Sequence, residues 1–206
     1  DGVADFNDDG FIDFFSLSEK AVFFNDGVPN FSKSSEVILP QQSQRILLQD
    51  LNGDGNTDLI VHGESFPILL LYENSETNSL KRVTNSHFEA VLSGDIEIAD
   101  FNNDQILDIL YTGANIGNKM KTKLLASAGS QGIYEDTFFE EEYGVTVGDI
   151  SVGDLNGDEL QDFFVFGSNF EFDDKISIYL NAGSNGFNQL QSPSFVRMVN
   201  GKSQIS

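Results

Sequence analysis

An all-β chain of repeated four-stranded units is what this sequence predicts, and three observations carry that reading. One nine-residue motif occurs four times, beginning at Asp5, Asp50, Asp100 and Asp154. Each copy runs straight into an apolar segment rich in β-branched and aromatic residues, the composition of a strand. A second such segment and a turn of small or polar residues follow every time.

The elements can be justified in chain order. The motif copies are residues 5–13, 50–58, 100–108 and 154–162, so the repeat length is 45, 50 and then 54 residues. After each copy comes a strand at Phe14–Phe15, Leu59–Val61, Ile109–Tyr111 and Phe163–Phe166. A second strand is expected at Ala21–Phe24, Ile68–Tyr72, Lys123–Ala126 and Ile176–Leu180, each ending in a turn such as Asn25–Gly27 or Asn181–Gly183. A third, weaker stretch falls at Val37–Leu39, Val83, Phe138–Phe139 and Phe187–Leu190. The run leading into the next motif, at Ile46–Leu48, Ile96–Ile98 and Ile150–Val152, makes a fourth strand that closes the unit. Four strands per unit of about fifty residues is the pattern of a β-propeller blade.

Within the motif, oxygen side chains stand at positions 1, 3, 5 and 9: Asp5, Asn7, Asp9 and Asp13; Asp50, Asn52, Asp54 and Asp58; Asp100, Asn102, Asp104 and Asp108; Asp154, Asn156, Asp158 and Asp162. A tight loop with this spacing wraps hard oxygen ligands around a calcium ion. The helix-loop-helix calcium site is a poor match, since it needs a carboxylate at position 12, where this chain has Ser16, Val61, Tyr111 and Val165. A hairpin turn would explain Asn-Gly and Asp-Gly pairs but not Asp at positions 1, 5 and 9 in every copy. Position 6 is Gly10 and Gly55 in the first two loops and Gln105 and Glu159 in the others. A left-handed conformation there is free for glycine and strained for the other two, so the third and fourth loops are expected to bind more weakly.

These residues resemble the FG-GAP/VCBS repeats of integrin-α-like β-propellers. The resemblance rests on D-[FL]-N-x-D-x-x-x-D followed by an apolar strand, on Phe166-Gly167, and on Gly63 and Gly113 at the matching places. It implies up to four bound calcium ions, with position 7 supplying a backbone carbonyl from Phe11, Asn56, Ile106 and Leu160. The first unit departs from the family pattern with Leu17-Ser18 in place of Phe-Gly. The whole chain, 1–206, reads as one repeat region, with units starting near 5, 50, 100 and 154. Gly201 stands where a lead-in strand to a further unit would begin, as Gly94 and Gly148 do for theirs, and the first motif has only four residues before it. Either the C-terminal strand completes the first blade and closes a four-unit ring or, the favoured expectation, the chain forms about four blades of a larger propeller.

Composition narrows the function. The formal charge is −22, and four divalent ions would bring it to about −14. Only 11 Lys and Arg are present, which argues against nucleic acid as a partner. Lys119, Lys121 and Lys123, the nearest approach to a basic cluster, read as a solvated strand face or loop. There is no cysteine, and no stretch approaches the roughly twenty apolar residues of a membrane span. The two histidines, His62 and His87, make no zinc site without cysteine. Glu140–Glu142 reads as a charged loop, and no nucleophile-elbow motif accompanies any serine.

The expectation is a non-catalytic binding or adhesion module, secreted or at the cell surface, recognising an extracellular protein or glycan. Its partner contacts are expected in the segments 73–87, 114–123 and 168–175, and Tyr134, Tyr143 and Phe170 are the candidates for stacking on sugars. The alternative is the propeller portion of a secreted polysaccharide-active enzyme, a lyase or glycoside hydrolase.

Overall fold

The computed structural model describes residues 1–27, 30–34, 37–39, 45–63, 69–74, 80–83, 91, 94–115, 117, 119–127, 134–141, 145, 147–168, 174–190, 198–199 and 202–203. It is all-β: four separate four-stranded antiparallel sheets follow one another along the chain, and no α-helix occurs among the described residues.

Sheet 1 comprises β1 (Gly2–Ala4), β2 (Asp13–Ser16), β3 (Ala21–Asn25) and β4 (Phe31–Lys33). Sheet 2 is β5 (Arg45–Gln49), β6 (Asp58–His62), β7 (Leu69–Glu73) and β8 (Lys81–Arg82). Sheet 3 is β9 (Ile96–Ala99), β10 (Asp108–Ala114), β11 (Met120–Ser127) and β12 (Tyr134–Glu141). Sheet 4 is β13 (Val147–Gly153), β14 (Asp162–Ser168), β15 (Asp174–Asn181) and β16 (Phe187–Leu190). In each sheet the strands lie side by side in chain order, a simple meander. A last hairpin, β17 (Met198–Val199) with β18 (Lys202–Ser203), belongs to none of the four.

The unit boundary differs from the sequence expectation. The run leading into each motif pairs with the strand after that motif, so it opens its sheet rather than closing the one before. Sheet 1 obeys the same rule, with Gly2–Ala4 paired to Asp13–Phe15. Each motif therefore joins the first two strands of one sheet, and all four loops occupy the same corner of their sheets. The Lys202–Ser203 strand pairs within its own hairpin and with no sheet of the array.

Three other expectations are corrected. The third strand of the first unit is Phe31–Lys33, not Val37–Leu39; the latter residues have no strand partner but bury Val37 and Leu39 in the core. Glu140 and Glu141 lie in β12 opposite Lys123 and Thr122 rather than in a loop. Lys123 is buried on β11, so only part of the lysine row is a solvated face. His62 ends β6 and is 2% exposed, a packed histidine. His87, Tyr143, Phe170 and much of 73–87 and 168–175 lie outside the described residues.

The core sits between sheets, and strand alternation puts it there. The residue directly after the ninth-position Asp faces the preceding sheet, and the next residue faces the following one. Leu59 thus packs with Phe6, Phe15, Val22 and Tyr72 between sheets 1 and 2. Ile109 meets Leu51, Ile60, Leu71 and Tyr111 between sheets 2 and 3. Phe163 meets Phe101, Leu110, Leu124, Val165 and Tyr179 between sheets 3 and 4, with Phe101 edge-on to Phe163 at 6.1 Å. Each fully buried side chain of this size contributes about 1.5–3 kcal/mol.

Gly94 and Gly148, six residues before their motifs, mark a close backbone approach. A Cβ on Gly94 would overlap the carbonyl oxygen of Thr112, and one on Gly148 that of Phe166. These carbonyls belong to the residues just before Gly113 and Gly167, so glycines on both sides let the strand end and the lead-in run in close contact. Gly153 has open space around its Cβ position. We therefore expect Gly94→Ala to lower the thermal midpoint by many degrees or to abolish folding, with Gly153→Ala staying within about 1 kcal/mol of the parent, as read by thermal denaturation.

Candidate metal centre

Each loop is organised around its first Asp. Asp5 accepts the N–H of Asp9 (3.2 Å) and of Gly10 (2.8 Å). Asp50 accepts those of Asp54 (3.2 Å) and Gly55 (2.9 Å). The third and fourth loops repeat the pattern with Asp104 (3.1 Å) and Gln105 (2.7 Å) on Asp100, and with Asp158 (3.2 Å) and Glu159 (3.0 Å) on Asp154. The fifth-position carboxylate in turn accepts the N–H of the seventh residue, at 2.8 Å in Phe11, Asn56 and Ile106 and 3.0 Å in Leu160. A carboxylate bonded to the backbone a few residues ahead reproduces a turn locally, which is why Asp is suited to these places.

Closing a loop this tightly requires left-handed backbone at two positions. At position 6 the φ angles are 85° for Gly10, 88° for Gly55, 71° for Gln105 and 67° for Glu159. At position 4 they are 54° for Asp8, 72° for Gly53, 63° for Asn103 and 83° for Gly157. Glycine and short polar side chains tolerate this region, whereas Gln105 and Glu159 adopt it at a cost.

Positions 3 and 5 are adjacent in space. The amides of Asn7, Asn52 and Asn156 donate to the Oδ2 atoms of Asp9, Asp54 and Asp158 at 2.9, 3.2 and 2.9 Å. The oxygens of Asn52, Asn102 and Asn156 accept the N–H of the fifth residue at 2.9 Å. Asn7 Oδ1 is buried with no hydrogen-bond partner.

The ninth-position carboxylates are set apart from the others. Asp13, Asp58, Asp108 and Asp162 are all 0% exposed, and each spends both oxygens on backbone N–H groups. Oδ2 accepts from the second residue of its own motif: Phe6 (2.9 Å), Leu51 (3.1 Å), Phe101 (3.0 Å) and Leu155 (2.9 Å). Oδ1 accepts from the residue at or just past the end of the second motif-flanking strand: Asn25 (2.8 Å), Asn74 (2.8 Å), Ser127 (2.9 Å) and Asn181 (2.7 Å). Burial pushes the Asp58 carboxyl up to about 7 and that of Asp108 up to about 6, against the opposing effect of those N–H bonds, and raises Asp13 as well. On the exposed side of the fourth loop the N–H groups of Glu159 and Gly157 hold Asp154 below the usual carboxylate range.

Among the described residues no three Asp, Glu, His or Cys side chains are gathered into a preformed cluster that would hold a metal ion. The donor set nevertheless fits a hard divalent cation. Every loop offers only oxygens, its first and fifth carboxylates have no cationic partner within the loop, and in the first loop Asn7 Oδ1 is a buried acceptor awaiting a donor or an ion. The second loop has a further oxygen that the motif does not disclose. Glu73, the last residue of β7, has a buried Oε1 with no hydrogen-bond partner, and burial together with Asp54 raises its carboxyl.

Comparison with known proteins follows the same lines. A sequence profile of the FG-GAP-like repeat matches residues 5–61 and 50–111, covering the first two motifs and the third. A solved structure of an Agrocybe aegerita lectin, reported for its specific recognition of non-reducing terminal N-acetylglucosamine, is similar over 92% of this chain at a TM-score of 0.59 and 19% identity. The chain spans about half of that structure, 51% of its length. No curated protein matches the sequence.

The strain at position 6 generates a test. Gln105→Gly should stabilise the third loop by about 1 kcal/mol and tighten any ion it holds, and Gly55→Gln should weaken the second loop by a similar amount. Thermal midpoints with and without calcium check both.

Proposed function

Because this chain belongs to the FG-GAP-like repeat family, we propose that it is a calcium-stapled, non-catalytic binding module of the extracellular space, part of a larger propeller, that presents its sheet edges and connections to a glycan or protein partner. The observation that carries this reading is the identity of the four loops. All use the same carboxylate-to-backbone bonds and sit at the same corner of successive sheets. A repeated, rigid, acidic rim suits a scaffold whose function lies in the connections between strands.

In each loop the ion would be held by the first, third and fifth side chains and by the seventh carbonyl. The ninth carboxylate would back the site from inside the fold. A divalent cation there supplies positive charge beside the acidic loop, where burial otherwise pushes Asp13, Asp58 and Asp108 towards protonation, and so favours the folded chain. Calcium concentrations outside cells match the affinities such modules typically have.

The lectin of similar fold supports a glycan as the first ligand to test, with terminal N-acetylglucosamine among the candidates. Partner contacts belong on the connections between strands, where sequence and length change from unit to unit.

Three measurements check the proposal. Chelator should lower the unfolding midpoint by several degrees and calcium should restore it, since a ligand confined to the native state stabilises by mass action. Glycan-array binding in calcium should reveal a ligand that chelator releases. A melting curve unmoved by verified removal of calcium would contradict the calcium reading. Release of reducing ends from a polysaccharide would replace the binding module with the polysaccharide-active alternative.

A further inference from the structure

We propose that Asn74 and Asn181 couple calcium binding between neighbouring loops, joining the first loop to the second and the third to the fourth. The inference rests on the calcium reading of the loops and adds a property that the motif itself does not contain.

The connection is a continuous run of hydrogen bonds across a sheet boundary. Asn74 donates its N–H to Asp58 of its own loop at 2.8 Å. The residue is 4% exposed, and its side-chain amide donates to the carbonyl of Phe6 in the first loop at 2.8 Å, a contact between residues 68 positions apart. Phe6 in turn donates its N–H to Asp13 at 2.9 Å. Two residues thus link the two buried ninth-position carboxylates, Asp58 and Asp13. The second pair repeats the same bonds, and the Asn181 amide also reaches the carbonyl of Gln161 at 3.2 Å. Asn181 donates its N–H to Asp162 (2.7 Å) and its amide to the carbonyl of Phe101 (2.7 Å), and Phe101 donates to Asp108 (3.0 Å).

The place of Phe6 and Phe101 gives the bonds their consequence. Each is the second residue of a motif, flanked by the first and third ligand positions: Asp5 and Asn7, or Asp100 and Asn102. The carbonyl that the asparagine grips belongs to the peptide unit leading to the third-position ligand. An ion that fixes those side chains fixes this carbonyl, and through the asparagine it orders the N–H that holds the neighbour's ninth carboxylate. Ordering prepaid by one ion lowers the cost of binding the next, which is positive coupling without a change of fold. The first pair has a second tie, from the Thr57 hydroxyl to the carbonyl of Asp5 at 2.9 Å. The first sheet carries Asn25 at the equivalent place and the third carries Ser127, so the fold accepts serine there.

A double-mutant cycle on the whole chain tests this. Calcium is titrated while the amide resonances of Gly10 and Gly55 report the first and second loops separately. Asp54→Ala disables the second loop, and Asn74→Ser, which copies the third sheet's use of Ser127, removes the bridging amide while keeping the N–H. With Asn74 present, Asp54→Ala should weaken the first loop about fivefold, the coupling expected of a buried hydrogen-bonded link. In the Asn74→Ser background the same substitution should change it less than about twofold. Asp158→Ala and Asn181→Ser, read at the Gln105 amide, should repeat the result for the other pair. A purely structural asparagine would lower the thermal midpoint on Asn74→Ser and leave the fivefold ratio intact, which would overturn the coupling while wild-type binding stands. Loop amides that do not respond to calcium in the wild type would remove the calcium reading, and the coupling with it.

Discussion

One buried carboxylate per repeat holds the structure together. At position 9 an Asp with no exposure ties the backbone at the start of its loop to the far end of the neighbouring hairpin, as Asp58 does with Leu51 and Asn74. A carboxylate in such a place is costly unless its oxygens are satisfied, and the two N–H groups satisfy them. Enough of the cost remains to raise Asp58 and Asp108 by burial. A divalent ion held by the exposed carboxylates above would offset the remainder. Fold and ion site would in this sense be one arrangement, with the buried carboxylate tying strands together and the exposed ones shaping the loop that faces the ion.

From that anchor the rest of the architecture follows by periodicity. The Asp fixes where the second strand of each sheet begins, and hence which side chains face backwards and which forwards. Leu59, Ile109 and Phe163 face the preceding sheet; Phe15, Ile60 and Leu110 face the following one. At the two ends of the array the same rule leaves apolar residues partly exposed. Phe14 stacks on Phe23 at 4.6 Å on the first sheet, and Phe164 lies 5.9 Å from Phe166 on the fourth. Both outer faces are thus built from the same kind of residue as the contacts between sheets.

Much of this was legible in the sequence, and what was not has physical reasons. The motifs and the strands after them are strong patterns because an oxygen-lined loop and a doubly buried strand both tolerate few residue types. Position 6 was legible through Gly10 and Gly55, and the strain predicted for Gln105 and Glu159 is present in their backbone angles. Position 4 escaped notice because Asp8, Gly53, Asn103 and Gly157 share a tolerance for left-handed backbone rather than a chemical type. Outer strands were placed least well. Phe31–Lys33 is a three-residue exposed edge, and such a strand carries almost no alternation, while the buried Val37 and Leu39 imitate one from a connecting segment. The role of Asn74 and Asn181 was invisible, since a turn asparagine reads the same whether its amide meets water or a neighbouring sheet.

The division of labour within a loop is open to one decisive comparison: the unfolding midpoints of the wild type, Asp54→Ala and Asp58→Ala, each in calcium and in chelator. With calcium removed, Asp58→Ala should melt well below the wild type, because two buried N–H groups lose their acceptor at about 1–3 kcal/mol each. Asp54→Ala, whose lost hydrogen bonds lie on the exposed side of the loop, should then melt only slightly below the wild type, and fall further behind when calcium is supplied. An Asp58→Ala protein as stable as the wild type in chelator would show that the ninth carboxylate serves the ion alone, and would contradict its place as the anchor of the fold.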